Sequence, residues 1–589
     1  MTPEARTAPR QTVLLMAGIA ILAIAAYLPV LGTGFSSDDF FILSRVRALN
    51  GLEHPLAYFQ FGFFDYYRPL VFLSHALDWE IWGLDPFGFH LRSLVLHTGC
   101  SILVLLIGRR FLSSPMAAVA AALFALHPAS HETVYWMAAR FDLMATFFTL
   151  AALWCLSDDR PIWRALGVLA FGLGLLSKES AISLVIIAPA WDVFIAKRSF
   201  RDVIRRLAPL VAVVLAYAIV RSVGADLEAA GGGRRLPKAI MALALMASVL
   251  AVAWRREHPA THGTRSSRVW WAGWPAIAVA SCGVAALLIV PATSAAVARA
   301  LGFVAYVAFY FVSPIVFPSP PAWVFTPVVW QDAIIGLCVA IAILAMVVRF
   351  HRSVTEHPAA AFLVVFVAAA LLPVSSMAGG LRYLYLATAG VALFAAWLLG
   401  RVPARARLIT ALGVTAIVVV SLVQLMQAGR RWRAGAEMQR AGVSTMADAI
   451  RPCEATDVVL LTTPSGVGGV YANFLYEAFD VLANCSPKSF ATLLRVVGSD
   501  AHVDVSTSPD GQIELRVPDY DGNILASADL STFRETITPG RRLSLDTAIG
   551  HLDTFGDGRT QVFRIALNPT ARAAAHFYYS DGAIRAAPR

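Results

Sequence analysis

The chain has 589 residues, of which 58% are hydrophobic and 15% charged, against about 25% charged in an ordinary soluble domain, and this excludes a soluble globular enzyme. The formal net charge of +10 is unevenly placed, with 32 basic and 20 acidic residues before Arg430 and 16 basic against 18 acidic from there on. A basic excess confined to the apolar part fits cytoplasmic loops of a membrane protein and speaks against a nucleic-acid surface.

Apolar runs longer than the roughly 18 residues that cross a bilayer recur from Thr12 to Gln427, which predicts a mainly α polytopic bundle whose backbone bonds are satisfied inside helices. The first, Thr12 to Leu31, follows a short basic start with Arg6 and Arg10. Because no small-x-small cleavage site precedes Phe35, the expectation is a retained helix with its N-terminus in the cytoplasm. From Phe35 to Leu91 the chain is aromatic, and Asp38, Asp39, Asp65, Asp78 and Asp85 outnumber Arg45, Arg47 and Arg68. A long acidic loop after the first span belongs on the outer face.

Spans are then expected near Leu91–Ile107, Met116–Ala129, Met137–Leu156, Trp163–Leu176 and Ala181–Ile195. Arg109 and Arg110, Arg160 and Arg164, and the cluster Lys197, Arg198, Arg201, Arg205 and Arg206 mark alternate turns as cytoplasmic. The remaining turns, His127 to Glu132 and Ser177 to Ser180, therefore share a side with the acidic loop. Later spans are expected near Ala208–Val223, Ala239–Trp254, Val269–Val290, Asp332–Val348, Ala359–Ser376, Leu381–Leu399 and Leu408–Met426. With alternation enforced, Leu301 to Phe317 reads as re-entrant or interfacial, giving about 13 crossings and a C-terminus opposite the N-terminus.

From Arg430 to Arg589 the pattern changes to short alternating runs at Val458–Leu461, His502–Val505, Ile513–Val517 and Val562–Ile565, punctuated by Asp510-Gly511, Asp521-Gly522 and Asp557-Gly558. This predicts a β-rich α/β soluble domain, dividing the chain into a membrane part, 1–429, and a tail, 430–589. Cys100, Cys155, Cys282 and Cys338 fall in apolar spans, where a thiol behaves as a small hydrophobe. Cys453 and Cys485 are the two cysteines of the tail, and a tail outside the cytosol predicts a disulfide between them.

The chemistry-bearing residues gather in the outer segments. Asp38 and Asp39 are adjacent and therefore point in different directions, which fits one carboxylate facing a reacting group and one orienting it. Tyr66 to Leu70 and Gly83 to His90 combine aromatics with Arg68 and His90, as an interfacial aromatic belt also would. His127 and His131 have the i, i+4 spacing of a helical metal pair beside Glu132, but Pro128 interrupts them and no third ligand has a fixed spacing; capping and hydrogen bonding are the expected roles. Charges at a membrane boundary are costly unless paired or bound. Arg140 with Asp142 and Lys178 with Glu179 read as internal pairs, or else Arg140, Lys178 and Arg382 converge on an anionic headgroup, with Tyr383 following the last of them.

In order, Asp38-Asp39, Tyr67-Arg68-Pro69-Leu70, Asp85 to His90, the stretch Leu126 to Leu143, Leu176 to Ile182 and Arg382-Tyr383-Leu384-Tyr385-Leu386 resemble the GT-C glycosyltransferases, most closely the transmembrane O-mannosyltransferases that carry tetratricopeptide tails and their bacterial relatives. The resemblance covers about Phe35 to Leu386 and departs in two ways: the tail lacks any helical 34-residue period, and Gly224 to Val290 reads as an insertion. It implies an inverting glycosyltransferase of the bacterial inner membrane that moves a monosaccharide from a polyprenyl-phosphate donor to a glycan, lipid or protein acceptor at the periplasmic face. Asp38 or Asp39 would carry catalysis, with Arg68, His90, His127, Glu132, Arg140, Asp142, Lys178, Glu179, Arg382 and Tyr383 around the substrates. The apolar helices would sit among membrane lipids and hold the isoprenoid chain. Phosphate is a good leaving group, so no cofactor is required; a divalent metal is compatible with the chemistry and not indicated by the residues. A transporter or flippase for an anionic lipid or solute is the alternative, expected to show paired repeats and broken helices, and a non-catalytic scaffold presenting the tail is a third.

Overall fold

A computed structural model of the chain describes residues 9–60, 66–225, 357–373, 380–464, 476–496, 502–508, 510–518, 542–547, 549–556 and 560–588, with the isolated positions 246, 249, 250, 254 and 474. Outside them, apart from those isolated positions and the first two residues of the insertion, lie the expected spans Ala239–Trp254, Val269–Val290 and Asp332–Val348, the segment Leu301–Phe317, the insertion Gly224 to Val290, Cys282 and Cys338, and the turns at Asp521 and Asp557.

Among the described residues six helices are long and apolar enough to cross a membrane, and three shorter apolar ones, Ser114–Ala125, Pro161–Ser177 and Pro358–Leu371, accompany them. The chain is a multi-pass, mainly helical membrane protein with a strand-containing C-terminal region. Prolines open several of these helices, at Pro69, Pro86, Pro161 and Pro358, where the missing N–H is not needed and the fixed φ is already helical. Asp85 caps Pro86–Gly108 by accepting from Phe87 N at 3.0 Å.

Three expectations are corrected. The acidic stretch after the first span is folded, not an open loop: it contains the helices Asp38–Ala48 and Pro69–Trp82 and a 3-10 turn at Pro55–Phe59. The expected crossing Ala181–Ile195 is broken into a 3-10 segment Glu179–Ser183, an α-helix Leu184–Ala190 and a π turn Trp191–Ile195; Pro189 lies inside it and cannot donate to the ladder. The helix that carries the last expected span does not stop at Met426: it runs from Arg407 to Ala449.

The basic turns assigned to the cytoplasm meet at one end of the bundle. Arg110 lies 4.0 Å from Asp158, Arg198 and Arg206 both pair with Asp159, and both also bind the buried Asp192. Helices Pro86–Gly108 and Arg140–Leu156 carry this end away from Phe89 and Arg140, which face the acidic segment.

Among the described residues the tail has nine strands: β1 Asp457–Pro464, β2 Ser489–Val496, β3 Asp504–Thr507, β4 Ile513–Pro518, β5 Leu543–Thr547, β6 Gly550–Gly556, β7 Thr560–Leu567, β8 Ala575–Ser580 and β9 Ala583–Ala586. They form two sheets, ordered β2-β1-β8-β9 and β3-β4-β7-β6-β5. β1 is parallel to β2 and β8 and the remaining pairs are antiparallel; helix Tyr476–Ala483 lies on the crossover between β1 and β2, as a parallel pair demands. Asp510-Gly511 falls between β3 and β4 as expected. Asp581-Gly582, with φ of 51° and 81°, turns β8 into β9, the left-handed geometry of a tight hairpin turn.

β1 is apolar from Val458 to Leu461, and both its faces are covered there. Val459 and Leu461 pack between the sheets with Leu515, Phe563 and Ile565. Val458 and Leu460 face the other way, into a core shared with Leu425, Trp432, Val443 and Met446 of the long helix and with Phe40, Leu43, Phe72 and Trp136. Tail and acidic segment are thus on the same side and share one hydrophobic core. Cys453 and Cys485 are joined in a disulfide, Cα atoms 6.0 Å apart, as expected.

Candidate charge site

The acidic pair begins a helix. Ser37 precedes it with φ of 53°, a conformation that a residue with a Cβ adopts only when its surroundings hold it there. Asp38 is exposed and Asp39 buried, so the two carboxylates do differ in direction. Asp39 accepts from Ser36 N and from Ala138 N, both at 2.8 Å. Burial pushes its carboxyl well above the usual carboxylate range, against the pull of those two N–H groups. On the other side of the turn Trp136 Nε1 donates to Ser36 O at 3.2 Å.

Below this turn Arg140 is completely buried. It pairs with the equally buried Asp78, which also holds Arg92, and donates to Phe89 O at 2.8 Å. His90, fully buried, lies within the electrostatic reach of Arg140, as does Asp39.

The remaining charges form a second group. Arg68 grips Glu179 with two hydrogen bonds, of 3.1 and 2.7 Å, the fork geometry in which guanidinium pairs best with carboxylate. Lys178 Nζ lies 2.6 Å from Asp142 Oδ1. Glu132 binds Arg382 and accepts from Leu381 N at 2.7 Å. Tyr383 joins these pairs, since Lys178 Nζ stands 4.5 Å over its ring, Arg382 4.4 Å over it, and Arg382 Nη2 donates to its hydroxyl at 2.8 Å. Burial pulls the Lys178 ammonium down to about 8, opposed by the neighbouring Asp142. Although burial raises the Glu179 carboxyl, Arg68 beside it brings it down to about 2.

The internal pairs expected from sequence, Arg140 with Asp142 and Lys178 with Glu179, do not form. Residues one or two apart on a helix or turn do not face each other, and each charge instead takes a partner from another segment. Of the three cations expected around one headgroup, Lys178 and Arg382 meet over Tyr383, while Arg140 lies with Asp78 and Asp39. His127 caps the turn Pro128–Ser130 by accepting from Ala129 N, and His131 Nδ1 accepts from Trp432 Nε1 at 3.0 Å; both roles are the capping and hydrogen-bonding ones expected. Sequence reasoning missed Asp78 and Arg92 as site residues, although an aspartate inside the apolar run Leu70–Trp82 is the kind of signal that points to a buried partner.

The second group has three cations and three carboxylates, held at the ends of apolar helices. An ammonium offers three donors and a guanidinium five, so one carboxylate does not exhaust either. Such a site can bind a phosphate by adding hydrogen bonds to those already made.

Residues 68–223 match the family described as dolichyl-phosphate-mannose-protein mannosyltransferase. The chain is 33% identical over 138 residues to the human protein O-mannosyl-transferase TMTC3, covering 22% of this chain and 15% of that protein. It is 34% identical over 194 residues to the Drosophila melanogaster protein O-mannosyl-transferase Tmtc2, covering 29% and 21%. The chain therefore matches only a minor part of the length of these relatives. Among solved structures it is similar to the oligosaccharyltransferase of Archaeoglobus fulgidus, with a TM-score of 0.43 and 12% identity over 82% of this chain and 64% of that one. The likeness to transmembrane O-mannosyltransferases read from the ordered motifs is shared by the family match, which holds Arg68, Glu132, Arg140, Asp142, Lys178 and Glu179.

Proposed function

We propose that this chain, whose membrane part is mannosyltransferase-like, is an inverting glycosyltransferase that moves a monosaccharide from a polyprenyl-phosphate carrier to an acceptor hydroxyl at the periplasmic face of a bacterial inner membrane. Residues 1–429 would form the catalytic membrane part and 430–589 the periplasmic domain. The observation that carries the reading is that three motifs far apart in sequence, at Arg68, Asp142 to Glu179 and Arg382-Tyr383, join in one charged cluster on the side of the bundle that bears Asp38.

In this mechanism the acceptor oxygen attacks the anomeric carbon opposite the phosphate, its proton passes to the exposed Asp38 carboxylate, and the bond from the sugar to the phosphate oxygen breaks with its electrons going to polyprenyl phosphate. Lys178, Arg382 and Arg68 stabilise the phosphate as charge develops on it. Asp39, bonded to Ser36 N and Ala138 N, holds the turn that presents Asp38. Arg140 and Asp78 support that turn from below, and Asp142, Glu179 and Glu132 orient the cations. His90 packs under the same turn, and His127 shapes the segment leading to Glu132. The apolar helices hold the isoprenoid chain.

The test is release of polyprenyl phosphate by the purified full-length chain given polyprenyl-phosphate mannose in detergent or vesicles, followed by mass spectrometry. Release that depends on Asp38 is the expected result, and intact donor under all conditions rejects the reading. The transporter alternative draws support from the interrupted segment Glu179–Ile195; it predicts donor movement between leaflets with no cleavage.

A further inference from the structure

The long helix Arg407–Ala449 reaches past the membrane helices and contacts the acidic turn. Gln439, completely buried, accepts from Ser37 N at 3.2 Å through Oε1. About two turns earlier on the same helix Trp432 stacks on Trp136, ring centroids 6.1 Å apart, and donates to His131. The residue that Gln439 binds is the positive-φ Ser37, immediately before Asp38. The turn is thus held from two sides: the membrane part supplies Trp136 Nε1 to Ser36 O and Ala138 N to Asp39, and the C-terminal segment supplies the acceptor for Ser37.

We infer that Gln439 is a positioning residue for Asp38, so that the segment beyond residue 430 is a working part of the transfer site and not a separate module. This rests on the reading of Asp38 as the base. Three physical points carry it. A non-glycine residue at positive φ is strained and persists only where the surroundings over-determine it. The Ser37 N–H is buried and needs an acceptor, and among the described residues Gln439 Oε1 supplies it. The Asp38 carboxylate follows Ser37 directly, so a change in the Ser37 backbone redirects it.

The experiment compares purified full-length wild type with Gln439→Met, which keeps side-chain volume and loses the acceptor, and Gln439→Glu, which keeps an acceptor oxygen at the same reach. Thr445→Ala, on the exposed side of the same helix, is the control. Release of polyprenyl phosphate from polyprenyl-phosphate mannose is measured per folded molecule, with Gln439→Ala replacing the Met variant if the latter does not fold. Because an ångström-scale misplacement costs up to about a hundredfold in rate, kcat should fall roughly ten- to a hundredfold in the Met variant with donor KM unchanged, and the Glu variant should recover most of the loss. Wild-type kcat in the Met variant, a change confined to KM, or a Glu variant as slow as the Met variant each overturns the inference. A wild-type chain that releases no polyprenyl phosphate overturns the functional reading and this inference with it, whereas an active wild type with an unaffected Met variant overturns the inference alone.

Discussion

Lys178 and Asp142 are bonded across two helices: the ammonium at the end of Pro161–Ser177 lies 2.6 Å from a carboxylate in the first turn of Arg140–Leu156, and both side chains are buried. Removing one partner of such a pair leaves a buried charge uncompensated, at a cost of about 3–5 kcal/mol. Asp142→Asn should therefore lower thermal stability in detergent more than the double change Lys178→Met with Asp142→Asn. A loss in the double variant equal to the sum of the losses in Asp142→Asn and Lys178→Met would show that the pair contributes no coupling.

The same lysine predicts a pH limb. With its ammonium pulled down to about 8, the cation proposed to hold the donor phosphate is lost as pH rises through about 8, and kcat/KM for the donor should fall there. Stability moves the other way: between about 8 and the ordinary lysine value the folded state binds fewer protons than the unfolded, so stability linked to this group rises with pH. Unfolding linked to Lys178 thus does not account for an activity loss in that window. In Lys178→Arg the limb should disappear; its persistence would assign the titration elsewhere.

The two adjacent aspartates should behave differently. Asp38→Asn should cut transfer by about 10²- to 10⁴-fold with little change in stability. Asp39 is the buried member, its carboxyl raised by burial. Between the ordinary aspartate value of about 3.9 and that raised value the folded state holds a proton the unfolded state has released, so its contribution to stability falls as pH rises through the window. Asp39→Asn should flatten the slope of melting temperature against pH above 4. An unchanged slope would exclude Asp39 as its source.

The Cys453–Cys485 disulfide closes a loop with a sequence separation of 32. In the chain-entropy model this stabilises the tail by about 3–4 kcal/mol. A Cys453→Ser, Cys485→Ser chain should melt at lower temperature, and transfer should weaken with it, because the tail shares its core with the acidic segment. Labelling of intact spheroplasts with a membrane-impermeant thiol reagent should modify Cys453 and Cys485 only after reduction. Protection of the reduced thiols from the reagent, released by lysis, would place the tail in the cytoplasm.

Much of this architecture was legible from sequence because it depends on neighbours along the chain. Apolar length marks helices that must satisfy their backbone in lipid, and the starts at Pro86 and Pro161, the alternation in Ile513–Val517 and the Asp510-Gly511 turn follow from local backbone geometry. Two cysteines in a tail expected to lie outside the cytosol left one pairing within it. The broken segment Glu179–Ile195 was missed because apolar length alone does not register what Pro189 does to the ladder. Sequence also named most of the charges that matter, since a charge beside an apolar span has to be paired or bound. Their partners were decided by the tertiary structure. Arg140 meets Asp78 and not Asp142, Lys178 meets Asp142 and not Glu179, and Ser37 meets Gln439 of a helix that begins in the membrane part and runs past the expected domain boundary. Side chains one or two residues apart on a helix diverge by about 100° to 200°, so a buried charge finds its counterion only where packing brings another helix end within reach, and that depends on how the whole bundle closes.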